Sequence, residues 1–192
     1  IIPGLVGSEM CIRDSTRDIV AKFLNIEDSR EIIFVRGTTE GINLVAYAWG
    51  RDNVKEGDII VTTEYEHHSN IVPWQLLTQE KKAQLKYIDI DDNGELMLDQ
   101  LDDYLSTGKV KLVTFSHMSN VLGTISPVEK IVSKCKNAGV KVLIDAAQSV
   151  PHMKVNLNEI GCDFFVFSAH KMLGPTGAVS YTHLRAHETR NN

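Results

Sequence analysis

The chain has 192 residues, 43% of them hydrophobic and 23% charged, with a formal net charge of −5. That is the make-up of one soluble globular domain, or most of one, long enough to bury a core, and an acidic balance without any basic run argues against a nucleic-acid partner. No apolar stretch approaches the roughly 20 residues of a membrane helix. Three widely spaced cysteines, Cys11, Cys135 and Cys162, make neither a disulfide framework nor a zinc cluster, which fits a reducing cytoplasm.

Residues 1–15 and 179–192 carry no clear periodicity and resemble translated sequencing-adapter read-through, so both are expected to be foreign tails, the N-terminal one disordered, around a natural segment of 16–178. From Asp18 to Leu24, the spacing of Ile19, Val20, Phe23 and Leu24 predicts an amphipathic helix. Glu31–Val35 reads as a strand ended by Arg36-Gly37, and Thr38-Thr39 then leads into a helix through Ala46 with a threonine cap. Asp58–Thr62 is a second strand, followed by a polar stretch to Asn70 and a helix over 71–79 with Pro73 in its first turn. Leu85–Ile90 is a strand, Asp91–Gly94 a turn and Leu98–Leu105 a helix. Lys111–Phe115, Val140–Ile144 and Phe164–Phe167 are buried strands, the first two separated by a helix over 127–136 with Val128, Ile131, Val132 and Cys135 on its inner stripe. The alternation of strands and helices predicts an α/β fold: a mainly parallel sheet with helices on both faces.

Several of these strands end in polar residues, and a parallel sheet gathers such ends along one edge. Gly37-Thr38-Thr39-Glu40-Gly41 opens a helix, where N–H groups and the positive dipole end suit a phosphate or serve an ordinary cap. His67-His68 lies in extended backbone, so the two imidazoles face opposite ways; that disfavours a metal pair and leaves a ring covering a flat ligand or a solvated loop. Asp145 follows the buried run Val142-Leu143-Ile144 and needs a cationic or donor partner to stay charged, or else caps the next turn. Lys171, just past the last strand, is either a surface lysine or an amine placed to form a Schiff base with a carbonyl group. Asp89-Ile90-Asp91-Asp92-Asn93-Gly94 begins like a calcium loop, but its twelfth position is Gln100 where a bidentate glutamate belongs.

Taken together, FVRGTTEGINLVA (34–46), EYEHHSNIVPW (64–74), SHMSNVLGT (116–124), VLIDAAQSVPH (142–152) and CDFFVFSAHKMLGPTG (162–177) resemble the large domain of class V aminotransferase-like, pyridoxal phosphate-dependent enzymes of fold type I, and within them the SUF-type cysteine desulfurases. EHHSNIVPW and the SAHK-GPTG block are the specific matches; GTTEG and D-x-x-Q are shared more widely. The resemblance implies that Lys171 carries pyridoxal 5′-phosphate as a Schiff base and later shuttles a proton as general acid/base. It also implies that Asp145 pairs with the pyridinium nitrogen, that His68 stacks on the ring and that Gln148 bonds its phenolic oxygen. Thr38, Thr39, Ser168 and His170 would hold the phosphate, with Asn120 near the phenolic oxygen and substrate carboxylate. The implied reaction takes sulfur from L-cysteine to leave L-alanine and an enzyme persulfide for iron–sulfur cluster assembly, in a homodimer that hands sulfur to an acceptor protein. In that family the persulfide cysteine, the carboxylate-binding arginine and the small domain lie beyond GPTG, so the chain is expected to be a truncated and inactive piece. The alternatives are a selenocysteine lyase or other class V relative, and a non-catalytic fragment that binds the cofactor.

Overall fold

The computed structural model describes residues 3–174 and 179–183, with side chains over 14–174. Among the described residues the strands are β1 (Ile32–Val35), β2 (Ile59–Thr63), β3 (Gln84–Ile88), β4 (Val110–Ser116), β5 (Lys141–Asp145), β6 (Phe164–Val166) and β7 (Val179–His183). They form one sheet in the order β1-β7-β6-β5-β4-β2-β3. Five neighbours, β6 through β3, pair in parallel, while β7 runs antiparallel to both β1 and β6. The helices are α1 (Pro3–Leu24), α2 (Thr38–Val45), α3 (Arg51–Asn53), α4 (Val72–Lys81), α5 (Leu98–Ser106), α6 (Val128–Asn137) and α7 (Leu157–Ile160), with a π-helical turn over Ala46–Gly50 joining α2 to α3.

The central strands are apolar on both faces because each face is covered. One layer packs Val61, Val113, Phe115, Val142, Ile144 and Phe165 against Leu101 of α5, the α6 stripe Val128-Ile131-Val132-Cys135 and Leu157 of α7. The opposite layer packs Ile60, Leu112, Leu143, Phe164 and Val166 against Ile42 and Val45 of α2 and Trp74 and Leu77 of α4. The predicted α/β architecture, parallel centre and two helical layers are what the chain adopts.

Right-handed crossovers decide which layer each helix joins. From β2 the chain moves outward to β3 through α4, on one face. From β4 it moves the other way, to β5 and then β6, through α6 and α7 on the opposite face. The direction reverses between neighbouring strands β2 and β4, so the connections leaving their carboxyl ends part to opposite faces and open a crevice.

Two elements fall in segments that sequence reading set aside as tails. Helix α1 runs back to Pro3 beyond the predicted Asp18 start, and 179–183 pairs as β7, supplying β1 and β6 with hydrogen-bond partners that they would otherwise lack. Pro175 to Ala178, at the end of the SAHK-GPTG block, lie outside the described residues. Helix α2 carries no threonine cap: Gly37 is its N-cap residue, and Thr38 is already helical. The Asp91 carboxylate accepts the N–H groups of Asn93 and Glu95, both at 2.9 Å, which makes the calcium-like run a turn.

Gly161 ends α7 at φ +64, a left-handed conformation that costs an L side chain about 1–2 kcal/mol. An added Cβ there would also meet the Lys136 ammonium at 2.3 Å. Gly161→Ala is therefore expected to lower the urea unfolding midpoint by the equivalent of about 1–2 kcal/mol without altering the slope.

Candidate functional site

The crevice is a cavity of about 280 Å³, lined by Thr38, Thr39, His67, Asn120, Asp145, Gln148, Ser168, His170 and Lys171, together with Gly37, Ser69, Ser116, Met118 and Ala147. Each comes from the carboxyl end of a strand or the turn after it. Eight of the nine residues singled out in the sequence meet here; the ninth, His68, does not.

At one end, β6 is tied to the start of α2. Ser168 is buried, and its hydroxyl is hydrogen-bonded to the Thr38 hydroxyl at 2.5 Å and accepts the Thr38 N–H at 3.3 Å. This bond between chain segments 130 residues apart fixes the free N–H groups of the first helical turn beside His170 and Lys171. The donors and the dipole favour an anion at that end.

At the other end, Asp145 closes β5 with only 5% exposure. Its carboxylate accepts the Ala147 N–H at 2.9 Å. Burial pushes the carboxyl above its ordinary value, against the pull of that hydrogen bond and of the Lys171 and His67 charges. An aspartate so placed is an anion short of a partner, and a cationic N–H entering the cavity would supply one. Across the mouth, the Gln148 amide donates to the Asn120 carbonyl oxygen.

The imidazole at the cavity belongs to His67, which corrects the expectation for His68. The chain leaves β2 through Glu64-Tyr65-Glu66, and His67 becomes the N-cap of a 3-10 turn over His68–Asn70. Its Nδ1 accepts the Ser69 N–H at 3.2 Å and lies 2.8 Å from the Ser69 hydroxyl, two contacts that hold the ring to its own turn. His68, one residue on, starts the turn and does not line the cavity.

Sequence reading also passed over Glu66, which lies behind the cavity wall. Its carboxylate takes four hydrogen bonds, from Thr63 Oγ1, Asn70 Nδ2, Ser116 Oγ and the Ser116 N–H. Burial pushes it up to about 7 from an ordinary value near 4.5, with those donors pulling the other way. The folded state thus holds the Glu66 proton more tightly than the unfolded chain does. The resulting stability is complete below pH 4.5 and is lost as pH rises through about 7. Between pH 5 and 8, melting curves should record a loss of roughly 2 kcal/mol from this group, and Glu66→Gln should flatten that slope.

Both described cysteines, Cys135 and Cys162, are buried in the core as packing residues, and neither lines the cavity. Burial raises both thiols, Cys135 to about 12 and Cys162 further, so neither is a thiolate near neutrality. No helix among the described residues is long and apolar enough to cross a membrane.

Comparison with known proteins agrees with this architecture. Over 165 residues the chain is 50% identical to the cysteine desulfurase of Wigglesworthia glossinidia brevipalpis, covering 85% of this chain and 40% of that relative. The cysteine desulfurase CsdA (S-sulfonic acid) of Escherichia coli superposes with a TM-score of 0.86 at 31% identity, over 92% of this chain and 44% of that one. The apo cysteine desulfurase of Thermococcus onnurineus NA1 gives 0.83 at 40% identity, over 88% and 42%. The chain thus spans about 40% of the curated relative's length. The aminotransferase class-V family model matches residues 8–185, nearly the whole sequence, and this chain belongs to that family.

Proposed function

We propose that this chain is the cofactor-binding part of a pyridoxal phosphate-dependent cysteine desulfurase, acting on L-cysteine, with residues 16–178 as its share of the large domain. Class-V aminotransferases are generally pyridoxal phosphate enzymes, and the relatives above carry the desulfurase name. The observation that carries the assignment is the convergence of an amine (Lys171), a buried carboxylate (Asp145), an imidazole (His67) and an anion-seeking helix start (Thr38, Thr39) on one cavity. The donor set fits the group end to end: N–H groups and hydroxyls for the phosphate, an under-partnered anion for the ring nitrogen and an amine for the aldehyde.

The bound cofactor would supply an electron sink, a protonated pyridine ring that draws charge from the substrate's α-carbon. The protein's part is binding and proton control. Thr38, Thr39, Ser168 and His170 hold the phosphate, and Asp145 keeps the ring nitrogen protonated. His67, fixed by Ser69, covers the ring face, in place of His68. Gln148 and Asn120, already hydrogen-bonded to each other, present polar groups to the phenolic oxygen and the substrate carboxylate. Lys171 would anchor the cofactor through its amine, and its Nζ, when free, would take or hold the proton of the cysteine Cα. The sulfur-accepting thiol is neither Cys135 nor Cys162, whose burial keeps them protonated and away from the cavity. Partnership with a second copy and with a sulfur-acceptor protein of iron–sulfur cluster assembly follows from the same assignment, as does work in the cytoplasm.

Titrating the chain with pyridoxal phosphate, reducing with borohydride and mapping the labelled peptide tests the assignment. One label per chain, on Lys171, is expected. Label spread over surface lysines would refute it.

A further inference from the structure

We propose that Glu66 is a positioning residue of this cavity: its carboxylate clamps the His67–Asn70 turn to the end of β4 and so sets the His67 ring against the cofactor, a role that rests on the pyridoxal phosphate assignment. Glu66 does not line the cavity, but its neighbour His67 and its partner Ser116 both do. One carboxylate oxygen accepts Thr63 Oγ1 at 2.5 Å and the Ser116 N–H at 2.7 Å. The other accepts Asn70 Nδ2 and Ser116 Oγ, both at 2.7 Å. A single side chain therefore joins the end of β2, the end of β4 and the far end of the turn that carries His67.

The polarity of this clamp is fixed from outside. Asn70 is fully buried, and its carbonyl oxygen accepts the Trp74 indole N–H at 2.9 Å and the Thr114 hydroxyl at 2.6 Å. Its amide nitrogen must then face Glu66 as a donor. The Ser116 N–H is a donor by nature. Each Glu66 oxygen consequently opposes one donor that cannot turn round. The isosteric Glu66→Gln must present its own NH₂ to one of them, whichever way its amide is set, and two donors would meet in a buried place. Changing the opposite partner as well, Glu66→Gln with Asn70→Asp, makes the facing pair complementary again: the new amide donates, the new carboxylate accepts, and Trp74 and Thr114 keep their acceptor.

The test compares the parent chain, Glu66→Gln and the double variant by two readouts. One is the pyridoxal phosphate dissociation constant together with the yield of borohydride-fixed label. The other is amide hydrogen exchange over residues 66–70 and at Ser116 without ligand. Glu66→Gln is expected to speed exchange there and weaken pyridoxal phosphate binding about tenfold, and the double variant to return both toward the parent. Unchanged exchange and affinity in Glu66→Gln, or a loss that the double variant leaves unrepaired, overturns the proposal. A parent chain that takes up no pyridoxal phosphate overturns the cofactor assignment and the role toward the ring, while exchange alone still decides whether Glu66 holds the turn.

Discussion

Lys171→Ala is expected to abolish the borohydride-fixed pyridoxal phosphate label while leaving the melting temperature of the ligand-free chain nearly unchanged. Both halves follow from where the residue sits. Lys171 is exposed, in the short 3-10 turn Ala169–Met172 past the end of β6, and a substitution there removes no core contact. Surface changes of this kind stay within about 0.5 kcal/mol. Its amine is nevertheless the group in the cavity suited to forming a covalent bond with an aldehyde, because the remaining lining side chains offer imidazole, hydroxyl, amide, carboxylate or thioether. Lys171→Arg separates charge from covalency: the cation stays, and the guanidinium does not form the bond. Arginine should therefore retain part of the reversible, phosphate-driven binding and none of the reducible label. Equal label in Lys171→Ala and parent would remove Lys171 from its place.

The fold was readable because its signals are redundant. Six strands were each predicted to within two residues at either end, since a strand buried on both faces writes itself as an unbroken apolar run such as Phe164-Phe165-Val166. The α6 stripe was readable from its 3.6-residue period. The elements that escaped lack a local signature. Helix α7 has four residues and one buried side chain, Leu157, too little to show a period. The π-helical turn at Ala46–Gly50 ends at a glycine packed close under the Leu77 side chain, a contact between distant residues.

The cavity was legible for a different reason. Polar residues recurred at strand ends, and parallel topology alone brings such ends together. Choosing between His67 and His68 needed the path of the chain after β2, because pleat alternation shows that two adjacent rings diverge without showing which one faces inward. Glu66 left no trace in the sequence, since its partners Asn70, Ser116 and Thr63 become its neighbours only when β2 and β4 pair.

Asp145 should show opposite effects with and without ligand, which makes Asp145→Asn the sharper test of the cavity's design. In the ligand-free chain burial raises the carboxyl above its ordinary value near 3.8. Its contribution to stability is then complete below that value and is lost as pH rises through the raised one. Above the raised value the parent holds a desolvated anion that the Ala147 N–H and more distant cationic charges offset. Asp145→Asn removes the charge and keeps an oxygen for Ala147, so the ligand-free variant should gain in melting temperature relative to the parent as pH rises, with the gap closing as pH falls. Toward pyridoxal phosphate the order reverses. A hydrogen bond between the carboxylate and a protonated ring nitrogen contributes about 1.5–3 kcal/mol, and its loss should weaken binding roughly 10- to 100-fold. A site that lowers the stability of its own fold until the right cation arrives is built for binding. A variant that is both less stable and equally avid would show that Asp145 caps a turn and does no more.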